Sequence, residues 1–202
     1  MMNNIFNIEK LIIIFLCIIG CTFGIFTAFP GHTNFDEFNS LNEILIQNLS
    51  NIQPPLHSIL WLHTIKIGEF LNLNLSIQTG LLLLVQSILF WYTFYIFTNL
   101  IQSRILKLVL IMSILISPIS LLYLNHIGKD SQLAIFFFVS TILIFSGIKK
   151  NNIYLLILSL FFIFYASFVR SNGLSAGVVI LFYWAYGISK ILYLNFKKLI
   201  SL

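Results

Sequence analysis

The stretch PPLHSILWLHTIKIGEFL, residues 54–71, decides how the whole chain is threaded. A proline pair suits the first turn of a helix, and a mostly apolar run of about 16 residues follows. At ~1.5 Å per residue that run reaches ~24 Å, short of a ~30 Å hydrocarbon core. It also carries His57, His63, Lys66 and Glu69. Either it crosses a bilayer awkwardly, or it lies flat along the surface as an amphipathic helix.

The flanking sequence leaves little doubt about class. Hydrophobic residues make up 59 % of the 202 and charged residues 8 %, against roughly 25 % charged in an ordinary soluble domain. Apolar runs predict spans at about 11–29, 77–99, 106–124, 131–148, 152–169 and 173–195. The expected fold is all-α, a polytopic helical membrane protein with residues 1–202 as one transmembrane domain. A β-barrel would alternate polar and apolar residues along short segments, a pattern missing here. The formal charge of +5 is therefore no nucleic-acid footprint, and the question becomes where the cations lie.

Short cytoplasmic loops are enriched in Lys and Arg. With the 54–71 stretch flat and the N-terminus inside, Lys10, Arg104, Lys107, Lys149, Lys150, Lys190, Lys197 and Lys198 face inward, and only Lys66, Lys129 and Arg170 face out. If the stretch crosses, every later loop flips and seven of the eleven cations face out. The flat arrangement is the one expected: about six transmembrane helices, both termini cytoplasmic, and a first outer loop over residues 30–72. A second interfacial helix is predicted at 36–52, where Phe38, Leu41, Leu45, Leu49 and Ile52 form an apolar stripe.

The same topology gathers the acids. Asp36, Glu37, Glu43, Glu69 and Asp130 all fall outside, and only Glu9 inside, leaving the outer face at −2 and the inner at +7. The charge rule counts Lys and Arg and largely ignores carboxylates, so this gathering suggests a site. Asp36 and Glu37, in FPGHTNFDEF (29–38), also suit a helix start, where unpaired N–H groups favour negative charge. Lys129 and Asp130 stand at the mouth of a span, a place where a snorkelling Lys and a capping Asp are equally at home. Arg170 lies between two spans on the same side, and so do His32, His57, His63 and His126, whose spacing matches no metal signature. Together they outline a pocket in which a carboxylate accepts a proton from a hydroxyl and cations steady a departing phosphate.

The remaining motifs add little. Cys17 and Cys21 share a helix face inside the first apolar run and read as packing residues. The N-terminal run is long for a signal peptide and reads as a retained anchor. Two Asn-x-Ser triplets, at 48–50 and 74–76, matter only in a secretory host, whereas the Ile, Asn, Lys and Phe usage favours a bacterial inner membrane.

The order of these motifs resembles the GT-C superfamily of membrane glycosyltransferases, nearest the family-39 type that includes protein mannosyltransferases and aminoarabinose transferases. The matching elements are a first span, an acidic pair in the first outer loop (FDEF), a Pro-Pro-Leu helix start (QPPLHSILW), an acid at a span mouth (GKDSQL) and an Arg-x-Asn-Gly boundary (RSNG). The resemblance covers the N-terminal module of that family only. It implies sugar transfer from a polyprenyl-phosphate-linked donor at the outer face of the membrane, to an acceptor it does not identify. Asp36 matches the proposed catalytic base, with Glu37 its neighbour. Asp130 matches a second acid that orients the donor or a divalent cation, leaving metal dependence open. Lys129 and Arg170 are assigned to phosphate contacts on charge, and His57 to the substrate pocket. Gln53 departs from the pattern, since relatives often carry Lys or His before the proline pair. The competing expectations are a non-catalytic subunit or carrier for lipid-linked sugars, a surface-polysaccharide polymerase, and a membrane protein with no pocket.

Overall fold

The computed structural model describes residues 2–33, 35–46 and 56–200, with side chains described over 8–33, 37–46, 56–118 and 120–194. Among these residues there is no strand, and the helices are α1 (Met2–Ala28), α2 (Phe35–Ile46), α3 (Leu56–Phe70), α4 (Leu75–Leu100), α5 (Arg104–Ile116), α6 (Pro118–Leu124), α7 (Lys129–Lys150), α8 (Ile153–Val169) and α9 (Gly173–Ile200). Four are long and apolar enough to cross a membrane: Ile8–Ala28 of α1, α4, α7 and Gly173–Leu194 of α9. α8 is apolar but has 17 residues.

One expected span is broken. Residues 106–124 form α5 and α6, parted at Ser117. Pro118 has no N–H to continue the ladder, and its ring drives the preceding residue into extended backbone (φ −73°, ψ 113°). Ser117 serves both helices: its N–H donates to the Ser113 carbonyl (3.1 Å), and its hydroxyl accepts from the Ser120 N–H (3.3 Å).

The described residues pack as two compact units, the first up to Ser131 apart from Leu56, the second Leu56 with the chain from Gln132 onward. In the first, α1 and α4 run antiparallel. Trp91 of α4 lies against Gly20, and Phe29, the residue after α1, lies against Gly80. In both places a Cβ on the glycine would overlap the ring, so each partner supplies a gap that the other's aromatic fills. The excursion from 29 to 74 therefore leaves and rejoins this pair at the same end.

α3 crosses that end. Trp61 Nε1 donates to the Thr79 carbonyl (3.1 Å), and Gly68 leaves room for Gln78. Positions seven apart on α3 thus meet adjacent residues of α4, which a helix running alongside could not do. Beneath α3 lies a core of Ala28, Ile44, Trp61, Ile65, Leu82, Leu83 and Ile127. α2 turns Glu37, Ser40 and Ile44 inward and leaves Phe38 and Leu45 exposed. The buried face is thus offset by one residue from the expected apolar stripe. Of that stripe and of the Pro-Pro start, Leu49, Ile52, Gln53, Pro54 and Pro55 lie outside the described residues.

At the opposite end, Glu9 bridges α1 to α5, its carboxylate 2.7 Å from Lys107 Nζ and 2.8 Å from Arg104 Nε. Glu9, Arg104 and Lys107 thus share one end of this unit and Glu37, His126 and Gly80 the other. In the second unit α7, α8 and α9 alternate in direction: Gln132 near the start of α7 meets Tyr165 near the end of α8, and Trp184 of α9 donates to the Leu156 carbonyl (2.8 Å). Its core contains Ile144, Leu156, Ile163 and Ile191.

Candidate functional site

Two loops build the site in the first unit. After α1 the chain turns through Gly31, whose φ of +127° suits only glycine and whose missing side chain admits Ile127. His32 then forms a parallel bridge with His126 in the loop after α6. The Ile127 N–H donates to the His32 carbonyl (3.0 Å), and the His32 N–H to that of Asn125 (3.3 Å). Gln86, deep in α4 and 2 % exposed, donates to the carbonyls of Leu124 (2.9 Å) and His126 (3.1 Å). A glutamine in so apolar a helix is there to satisfy loop carbonyls that have no ladder of their own.

The side chains on this frame converge. Glu37 is buried, and its Oε2 lies 3.7 Å from Nε2 of His126. Gly128 makes the approach possible: a Cβ there would stand 2.8 Å from Glu37 Oε1 and would overlap the His126 ring. His126 is partly exposed on its other side, where a cavity of about 250 Å³ is lined by His32, Leu122, Tyr123, His126 and Asp130. One wall is therefore ionisable and the other apolar or phenolic.

The residues singled out in the sequence are distributed as follows. Glu37 and Asp130 belong to this site, Asp130 exposed in the first turn of α7. Lys129 opens α7 and is buried. Asp36 is the second residue of α2, and its side chain lies outside the described residues. His57 is fully buried, its ring 5.6 Å from that of Trp61, so it belongs to the packing under α3 and not to the lining of the cavity. Arg170 follows α8 as its C-cap, in the second unit. His32, His126 and Gly128 were not distinguished by sequence spacing. Their signal was present only in GHTNFDEF and LNHIGKD, two His-bearing turns each followed by an acid.

Among the described residues no three His, Cys, Asp or Glu side chains come together closely enough to hold a metal ion.

Lower in the same unit, a second cavity of about 440 Å³ lies along α1 and α4, lined by Ile14, Cys17, Ile18, Cys21, Thr22, Ile88, Trp91, Tyr92 and Tyr95. Its walls are almost wholly apolar.

The chain matches no protein-family model, no curated protein and no solved structure.

Proposed function

We propose that this is an integral membrane protein of about six spans, α5 and α6 together making one, with α2 and α3 lying on the outer surface and both termini in the cytoplasm of a bacterium. On that surface it acts as a glycosyltransferase, or a module of one, that moves a sugar from a polyprenyl-phosphate donor to an acceptor hydroxyl. The observation that carries this reading is the meeting of Glu37, His126, His32 and Asp130 at the end of the first unit crossed by α3. An amphiphilic cavity suits a head group that is both sugar and phosphate, and the apolar cavity along α1 and α4 has the lining a prenyl tail requires. The outward Phe38, Leu45, Ile67 and Phe70 of α2 and α3 suit helices resting in the headgroup boundary.

In the reaction, Asp36 takes the proton of the acceptor hydroxyl. The acceptor oxygen bonds to the anomeric carbon as the carbon–oxygen bond to phosphate breaks, and the polyprenyl phosphate leaves with the electron pair. Asp130 hydrogen-bonds sugar hydroxyls. The test is purified protein in nanodiscs with undecaprenyl-phosphate mannose. Sugar release or transfer is expected from the wild type and is abolished in Asp36→Asn at unchanged abundance and insertion. Wild-type turnover in that variant removes Asp36 from the chemistry, and no turnover by the wild type removes the transferase reading.

A further inference from the structure

The cavity poses a charge problem. Its carboxylates, Asp130 in the lining and Glu37 behind His126, repel a phosphate, yet the proposed donor carries one. Lys129, next to Asp130 in the sequence, is buried. The nitrogen donors in the lining itself are His32 and His126, and Tyr123 adds a phenol hydroxyl.

We infer that His126 and His32 form a phosphate-binding pair, with Glu37 as the residue that orients and supports His126. This rests on the reading of the cavity as the donor's head-group site. An imidazole with both nitrogens protonated has two donors. Glu37 Oε2 faces Nε2 at 3.7 Å, and the His126 ring borders the cavity. The ring cannot swing away easily, because Gly128 and Glu37 confine it and its backbone is tied to both His32 and Gln86. The bridge between residues 32 and 126 sets the two rings in one cavity lining although 94 positions separate them. A buried carboxylate beside an imidazole holds the ring in one orientation toward the cavity. The ligand class is a phosphate ester or free phosphate, held as a charge-assisted acceptor.

Histidine carbethoxylation, mapped by mass spectrometry on the full chain in nanodiscs, tests this. Undecaprenyl phosphate should slow modification of His126 and His32 at least about fivefold, with the exposed His63 unaffected and undecaprenol without effect. Equal protection by inorganic phosphate supports the site and makes the free ion its ligand; weaker protection assigns the lipid ester. Loss of a charge-assisted hydrogen bond in His126→Gln should weaken undecaprenyl phosphate binding about tenfold or more. Glu37→Gln and Gly128→Ala should both abolish protection of His126, the latter without changing any ionisable group. Equal modification rates with and without phosphate overturn the inference. Mannose transfer by a protein whose histidines are not protected leaves the transferase reading standing and this one fallen. Protection without transfer does the reverse.

Discussion

The side-chain amide of Gln86 and the backbone carbonyl of His126 are joined at 3.1 Å across 40 positions of sequence. This bond, with its partner to Leu124, fixes the loop that carries the site from below. Gln86→Leu strips both acceptors of their donor. It should cost about 1–3 kcal/mol, and hydrogen exchange should accelerate at residues 124–128 before any change in α1. Unchanged exchange there would mean the loop is held by the His32 bridge alone.

Glu9 separates two cations of unequal exposure. Lys107 is 9 % exposed at its side chain and Arg104 55 %. Glu9→Gln leaves a buried ammonium without its carboxylate and should cost about 3 kcal/mol in unfolding measurements in detergent, recovered in large part by Lys107→Met in the same chain. Arg104→Gln should change stability by less than about 1 kcal/mol, as a half-exposed pair does. If the Arg104 change is the larger, the burial argument is wrong.

In the second unit Tyr165 donates to Gln132 Oε1 at 2.6 Å, between α8 and α7. Tyr165→Phe keeps the ring against Phe136, 4.3 Å between centroids, and removes only the hydroxyl. Hydrogen bonds between membrane helices are worth about 0.6 kcal/mol on average and about 1.7 at most, so the loss should fall in that range by steric-trap or denaturant unfolding. A larger loss would show that Gln132 finds no substitute partner.

Cys17 and Cys21 line the apolar cavity along α1 and α4, which makes them reporters of the proposed prenyl tail. A lipophilic maleimide should label them several-fold more slowly when undecaprenyl phosphate is present, and a short-chain phosphate ester should give no shielding. Equal rates under both would place the tail elsewhere.

Much of the scaffold was legible because a long apolar run has few fates. α1, α4, α7 and α9 each show as continuous hydrophobic sequence, and the charge rule chose an arrangement in which residues 29 and 74 share an end, as the α1–α4 packing has them. The break at Ser117 was written in Ser-Pro, but a single proline is easily overlooked inside a run as apolar as LKLVLIMSILISPISLLYL. The offset of α2 was hidden for a different reason. Periodicity identifies an apolar stripe without saying whether protein or lipid covers it. At the site, Glu37 and Asp130 stood out through the scarcity of acids. His126 did not, because its place depends on a bridge to His32, and no local pattern encodes a pairing of two turns so far apart. His57 carried the same chemical label as His126 and is packed on Trp61; residue type alone does not separate them.

The exchange of glycine for aromatic between α1 and α4, Gly20 under Trp91 and Gly80 under Phe29, sets the register of these two helices through shape alone. At that end Ile44, Trp61 and Ile65 share a core with Ala28 of α1 and with Leu82 and Leu83 of α4. A side chain added at either glycine would shift that register and, with it, the end of the pair that Trp61 of α3 grips at Thr79.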